Sequence, residues 1–157
     1  MSFEEIIKAI GVKPYYQDDA VIIYHADCRE LLPLIPDKSI DLVLTDPPFP
    51  DYNLGYEPTP IDLLSNIFCR QLIFWSAKAS FPLDYTAIHI WDKVQGCIAE
   101  YERLFERNGY RIYKIFRYNS TLSPISAKYA GDIYYNHPSQ KPHKLISALI
   151  NYASNPS

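Results

Sequence analysis

The run Ile40-Asp41-Leu42-Val43-Leu44-Thr45, followed at once by Asp46-Pro47-Pro48-Phe49, restricts the fold more than any other feature of this chain. A short, mostly apolar run next to turn residues reads as a strand covered on both faces, the condition of strands in parallel sheets. Two consecutive prolines cannot extend the ladder, because each fixes its own φ and lacks an N–H. The strand therefore ends at Thr45, and Asp46 stands just beyond its carboxyl end. In open α/β sheets, ligands collect at that end of the strands.

The flanking segments supply the rest of an α/β pattern. Ser2 and Glu5 form an S-x-x-E capping box ahead of Ile6, Ile7 and Ile10, which predicts a short first helix. Tyr15–Gln17 and Val21–His25 read as a tight hairpin, or as a strand with a short lead-in. A helix fits Asp27–Leu34 with Asp27 as its cap, so residues 21–46 read strand, helix, strand, the elements of a crossover. A second round has a helix starting at Pro60, with Leu63, Leu64, Ile67 and Phe68 on it, then strands at Leu72–Trp75 and Thr86–Trp91.

Ala99–Arg107 and Tyr110–Tyr118 are strand-like and separated by Asn108-Gly109 alone, the preferred pair for a type I′ turn. That predicts a β-hairpin at 99–118, with a helix through 100–107 as the competing reading. Residues 119–136 read as a polar and aromatic loop. Pro142–Ala153 reads as a helix with Leu145, Ile146, Leu149, Ile150 and Ala153 on one stripe. With no repeat and no long linker, residues 1–157 form a single domain.

Composition narrows the class. The chain is 48% hydrophobic, enough for a core and too much for a mainly disordered chain. Cys28, Cys69 and Cys97 lack C-x-x-C spacing, so neither a metal site nor a disulfide framework is expected, and a reducing interior fits. The polar start MSFEEIIK and the lack of an apolar run of about 18–20 residues predict a cytoplasmic protein with no membrane partner. Residues 1–62 hold 4 Lys/Arg against 12 Asp/Glu, whereas residues 63–157 hold 11 against 6. Such asymmetry suits a face that meets a polyanion.

The tetrad after the strand has a composition suited to holding an aromatic amine. The Asp46 carboxylate can accept one N–H of the amine, and the Pro47 carbonyl, on a backbone stiffened by two prolines, can accept the other. Together they favour the pyramidal nitrogen that attacks a methyl sulfonium, by positioning and electrostatics. Phe49 offers a face for a flipped base, a contact of about 1–3 kcal/mol. Without such a role the tetrad is a strand end, a Pro-Pro turn and a core Phe.

Three ordered stretches carry a resemblance: Tyr24-His25-Ala26-Asp27-Cys28-Arg29-Glu30-Leu31-Leu32, Ser39 to Phe49, and His137-Pro138-Ser139-Gln140-Lys141-Pro142. With Ile90-Trp91-Asp92-Lys93 as a W-x-K strand, the chain resembles the N6-adenine/N4-cytosine DNA methyltransferases, of the permuted type whose catalytic motif precedes the cofactor motif. The resemblance implies a Rossmann-like methyltransferase sheet, S-adenosyl-L-methionine as methyl donor, double-stranded DNA as partner, and a prokaryotic or phage-encoded protein. It makes Asp46, Pro47, Pro48 and Phe49 the catalytic tetrad, and Asp at its first position is similar to members that methylate adenine. It sets Asp27 and Cys28 near the donor's adenine edge, and His137, Gln140 and Lys141 near its methionine end. The blander readings are an N-cap for Asp27, a packed small side chain for Cys28, and a solvated loop for His137 and Lys141. His25 and His89 read as structural histidines, and Trp75 and Trp91 as core.

The chain departs from the family in having no glycine-rich F-x-G-x-G turn after a strand; no two of Gly11, Gly55, Gly96, Gly109 and Gly131 lie at that spacing. The expected sheet is therefore incomplete, with the cofactor-binding strands absent. The family places those strands between the one ending near Asp27 and the one ending at Asp46, so the chain alone is expected to bind the donor poorly and fold marginally unless a second chain or segment supplies the cofactor motif. Residues 103–144 carry eight Lys/Arg against two acidic residues with tyrosines interleaved, which makes Arg111, Lys114, Arg117 and Lys128 candidate DNA-binding residues. A solvated basic hairpin face is the alternative. Three functions follow: methylation of adenine N6, methylation of cytosine N4, and a non-catalytic DNA-binding or subunit-interaction remnant.

Overall fold

The computed structural model describes residues 1–51, 61–94, 100–137 and 139–154. The expected helix start at Pro60, the hairpin start at Ala99, Cys97 and Pro138 lie outside the described residues. Helix α1 (Phe3–Ile10) opens with the anticipated capping box and closes on Gly11 at φ 70°. Strands β1 (Tyr16–Gln17) and β2 (Ile22–Ile23) form an antiparallel ribbon, turned by the Asp18 carboxylate accepting from the Ala20 and Val21 N–H groups. Helix α2 (Cys28–Leu31) runs into a 3₁₀ turn at Leu32–Leu34, where Pro33 lies in the first turn.

The main sheet is built from β3 (Leu42–Thr45), β4 (Arg70–Trp75), β5 (Ala87–Asp92), β6 (Tyr101–Arg107) and β7 (Ile115–Arg117), in the order β3-β4-β6-β5-β7. β3 is parallel to β4, β6 is antiparallel to both β4 and β5, and β7 is parallel to β5. Four strands thus point one way and β6 alone points back. The architecture is mixed α/β and compatible with a Rossmann-like methyltransferase sheet. β4 lies between β3 and β6 and is buried from Gln71 to Trp75, as its apolar run requires. Helix α4 (His143–Ser154) lays Leu145 and Leu149 on one face, against Leu72, Phe74, Trp91, Leu104 and Phe116. On the other face Phe81 stacks on Phe105 with ring centroids 4.1 Å apart.

The hairpin predicted at 99–118 does not form, and neither does the helix through 100–107. Both edges of β6 are already taken, by β4 and by β5, so no edge remains for the segment after Asn108-Gly109. That segment instead crosses to the far side of β5 and pairs there as β7. Asn108 has φ 55°, while Gly109 is not in the left-handed region, so the type I′ turn is absent. Gly109 is required for a different reason: a methyl group there would collide with the Glu106 side chain beneath it. Because Glu106 is buried and cannot swing aside, Gly109→Ala is expected to cost about 1–3 kcal/mol of stability by overpacking. Urea denaturation measures it, and a variant as stable as wild type would contradict the close approach.

Three more expectations change. β2 and β3 do not share a sheet: β2 pairs with β1 alone, and among the described residues β3 is hydrogen-bonded to β4 on one edge only. The 21–46 crossover is therefore not closed here. Within the expected 119–136 loop lies a helix, α3 (Pro124–Ala130), capped by Ser123 with Pro124 at its first position and ended by Gly131 at φ 60°. The helix predicted to start at Pro60 is reduced to a 3₁₀ segment, Ile61–Asn66.

At the end of the sheet where β3 and β4 begin, Glu106 is fully buried and accepts from Arg70 Nε (2.7 Å), His89 Nε2 (2.7 Å) and the Tyr152 hydroxyl (2.9 Å). His89 Nδ1 accepts the Lys114 N–H at 3.1 Å, which assigns the ring proton to Nε2. Arg70 also donates to the Tyr152 and Ala153 carbonyls, tying the last turn of α4 to the sheet. Burial, then the hydrogen bond to Glu106, push the Tyr152 phenol up to about 12 and keep it a donor. His89 is thus a satisfied structural histidine, and Trp75 and Trp91 are core.

Candidate functional site

Because β3, β4, β5 and β7 are codirectional, their carboxyl ends deliver Asp46, Ser76, Lys93 and Tyr118 to one rim. The reversed strand β6 delivers its first residues, Tyr101 and Glu102, to the same rim, with Glu102 opposite Trp91. A cavity of about 480 Å³ opens there. Asp46, Pro47, Pro48 and Phe49 wall one side, His137, Ser139, Gln140 and Lys141 the other, and Trp91, Lys93, Glu102, Ser120 and Leu122 complete it. A larger hollow of about 730 Å³ lies by Ile40, Asp41 and Cys69, where β3 and β4 begin. It contains none of the predicted catalytic or binding residues, and its walls are mainly Leu32, Pro33, Ile35, Leu63, Ile67 and Phe68. The smaller cavity holds the convergent charges.

Those charges alternate. Lys141 Nζ lies 2.7 Å from Asp46 Oδ2 and 3.1 Å from Glu102 Oε2, while Lys93 Nζ lies 3.0 Å from Glu102 Oε1. The Asp46 side chain retains 34% exposure at the mouth, whereas Glu102 and Lys141 retain 14% each. The Lys141 ammonium sits among three rings, 5.0 Å from the centroid of Phe74, 5.7 Å from Trp91 and 6.0 Å from Phe49. Burial raises the Asp46 carboxyl above its ordinary range; Lys141 opposes this and Glu102 adds to it, leaving a net upward shift. Phe49 meets Trp75 at 6.0 Å in a tilted arrangement and packs against the core, so the tetrad is anchored from behind. Pro47 is buried.

The structure therefore brings together seven predicted residues: Asp46, Pro47, Pro48, Phe49, His137, Gln140 and Lys141. Gln140 is also a brace, since its amide accepts from the Tyr135 N–H and donates to Thr121 Oγ1 and the Ile133 carbonyl. His137 Nδ1 accepts the Ser139 N–H. Asp27 and Cys28 do not line this cavity. Asp27 caps α2 through the Arg29 N–H and pairs with the Arg29 guanidinium, which lowers its carboxyl to about 2. Arg111, Lys114, Arg117 and Lys128 are all exposed. Arg117 lies at the cavity end beside Asp92, Lys114 lies over the Tyr152 ring at the opposite end, and Lys128 is carried by α3.

Glu102 was not among the predicted site residues. Its position follows from the reversed direction of β6, which nothing local in Tyr101–Arg107 announces. The α3 helix did have a local signal, Ser123-Pro124 at one end and Gly131 at the other. Among the described residues no helix is long and apolar enough to cross a membrane.

Two characterised proteins share parts of this sequence. The Type II methyltransferase M.ScaI of Streptomyces caespitosus is 47% identical over 53 residues, 34% of this chain and 16% of that protein. The Type II methyltransferase M.BamHI of Bacillus amyloliquefaciens is 42% identical over 38 residues, 24% of this chain and 9% of that protein. The chain thus matches a small fraction of the length of either relative. No family model matches the chain, and no solved structure matches it.

Proposed function

We propose that this chain is the catalytic, amine-holding portion of an S-adenosyl-L-methionine-dependent DNA methyltransferase that modifies adenine N6. The observation that carries the reading is the cavity in which the Asp46 carboxylate, the Pro47-Pro48 backbone and Phe49 stand at the carboxyl end of a half-buried parallel strand. There the Asp46 carboxylate and the Pro47 carbonyl would each accept one N–H of the target amine, turning its lone pair out of the ring plane. Phe49 would take one face of the flipped base. A bound donor would supply an electrophilic methyl group for the amine nitrogen, and the Asp46 hydrogen bond would carry the proton that the nitrogen gives up toward the medium. The two Type II methyltransferases similar to this chain support the transfer; Asp at the head of the tetrad supports adenine over cytosine N4.

The described residues seat the amine and not the whole methyl donor. Asp27 is engaged by Arg29, Cys28 lies off the cavity, and the edge of β3 that is unpaired among the described residues lies beside the tetrad. A second chain or segment that pairs with this edge is part of the proposal, as is double-stranded DNA as substrate. The test is incubation of the full chain, with and without such a completing segment, with labelled donor and DNA, followed by digestion to nucleosides. Label in N6-methyladenine is the expected product. Label in N4-methylcytosine would reassign the base, and label in neither would remove the enzymatic reading.

A further inference from the structure

The geometry points to Glu102 as a positioning residue: it holds Lys141 as a cation shared between two carboxylates, so that Asp46 can exchange the lysine ammonium for an incoming nucleobase amine. The use of the exchange rests on the function proposed above; the shared cation stands on the geometry alone.

In this structure the Lys141 ammonium occupies the acceptor side of Asp46, at 2.7 Å, where an amine N–H would have to come. An ammonium paired with Asp46 alone would resist displacement, because leaving would strand a charge under the Phe49, Phe74 and Trp91 rings with little access to water. Glu102 removes that obstacle, since its Oε2 is already 3.1 Å from Lys141 Nζ. That oxygen is sealed from solvent and, among the described residues, accepts no hydrogen bond of good geometry, so its partner is this cation. The other oxygen of Glu102 is held by Lys93 Nζ at 3.0 Å, which keeps the carboxylate in place. Lys93, Glu102, Lys141 and Asp46 sum to no net charge, so moving Lys141 from one carboxylate toward the other leaves the cavity electrically balanced. Among the described residues, they and His137 are the titratable groups lining it.

Carbon-13 carboxyl NMR of the full chain, labelled at Asp and titrated with pH, tests the linkage without donor or DNA. Glu102→Gln is expected to move the Asp46 midpoint down, because a negative neighbour is gone and Lys141 turns wholly to Asp46. Lys141→Met is expected to move it up. These opposite signs are what a merely structural Glu102 would not give, and circular dichroism establishes that each variant is folded. An Asp46 curve unmoved in folded E102Q would overturn the proposal. Should E102Q not fold, Lys93→Met reads the same linkage from the other side: an upward shift supports the proposal and an unmoved curve overturns it. Loss of the methylation reading would leave these shifts intact, so the two failures are separable.

Discussion

Asp46→Ala is expected to slow methyl transfer to DNA by about 100- to 1,000-fold, the usual cost of removing one preorganised polar group at a reacting centre. The carboxylate is the only anionic acceptor the tetrad provides, and Pro47 and Phe49 can neither replace its charge nor accept the same N–H. The fold is expected to survive, because Asp46 lies at the cavity mouth and Lys141 keeps Glu102 as a partner. The measurement is a single-turnover rate with tritiated donor, comparing wild type and variant under identical completion by any required segment. Equal incorporation by the two chains would end the assignment of Asp46. Phe49→Ala would complicate the same test, since that ring also packs against the core cluster.

The largest loss of stability is expected from Glu106→Ala, about 3–5 kcal/mol, the range for removing one partner from a buried ion pair. Glu106 is fully buried, and its loss strands Arg70, which has 11% side-chain exposure, and removes the acceptor for His89 and Tyr152. The sheet and the last turn of α4 would loosen together, because Arg70 joins them. Guanidinium denaturation gives the value, and a loss below about 1 kcal/mol would show that the network contributes little. Burial alone would raise the Glu106 carboxyl, but hydrogen bonds from His89, Arg70 and Tyr152 outweigh it and the net shift is downward. A carboxyl lowered in the folded state adds stability above its unfolded value of about 4.5, and that stability is lost as pH falls through the folded value. The advantage of wild type over Glu106→Gln is therefore expected to be level near neutrality and to shrink below about pH 4.5.

Several elements were legible because their causes are local. The S-x-x-E box fixed the start of α1, and the apolar run with two prolines fixed where β3 ends and left Asp46 at a strand's carboxyl end. Leu145, Ile146, Leu149 and Ala153 of the predicted stripe gave α4 its packed side, whereas Ile150, expected on the same stripe, is exposed. In each case neighbouring residues decide the backbone, through a cap, a missing donor or a helical repeat. The tetrad and the 137–141 stretch could be named as site candidates for the same reason, though not that Gln140 braces a loop and Lys141 pairs with Asp46.

What the sequence could not settle was which strand edges were free. Asn108-Gly109 is a good local turn signal, yet a hairpin needs an open edge on β6, and β4 and β5 occupy both. Gly109 is held instead by a buried carboxylate three residues earlier, a constraint visible only after packing. Glu102 reaches the Asp46 cavity because β6 runs against its neighbours, and Arg117 reaches the same end of the sheet because β7 runs parallel to β5. Strand direction and pairing come from competition among distant segments for the same hydrogen bonds. Local sequence therefore set the elements and the tetrad, while tertiary pairing chose the charges gathered around it.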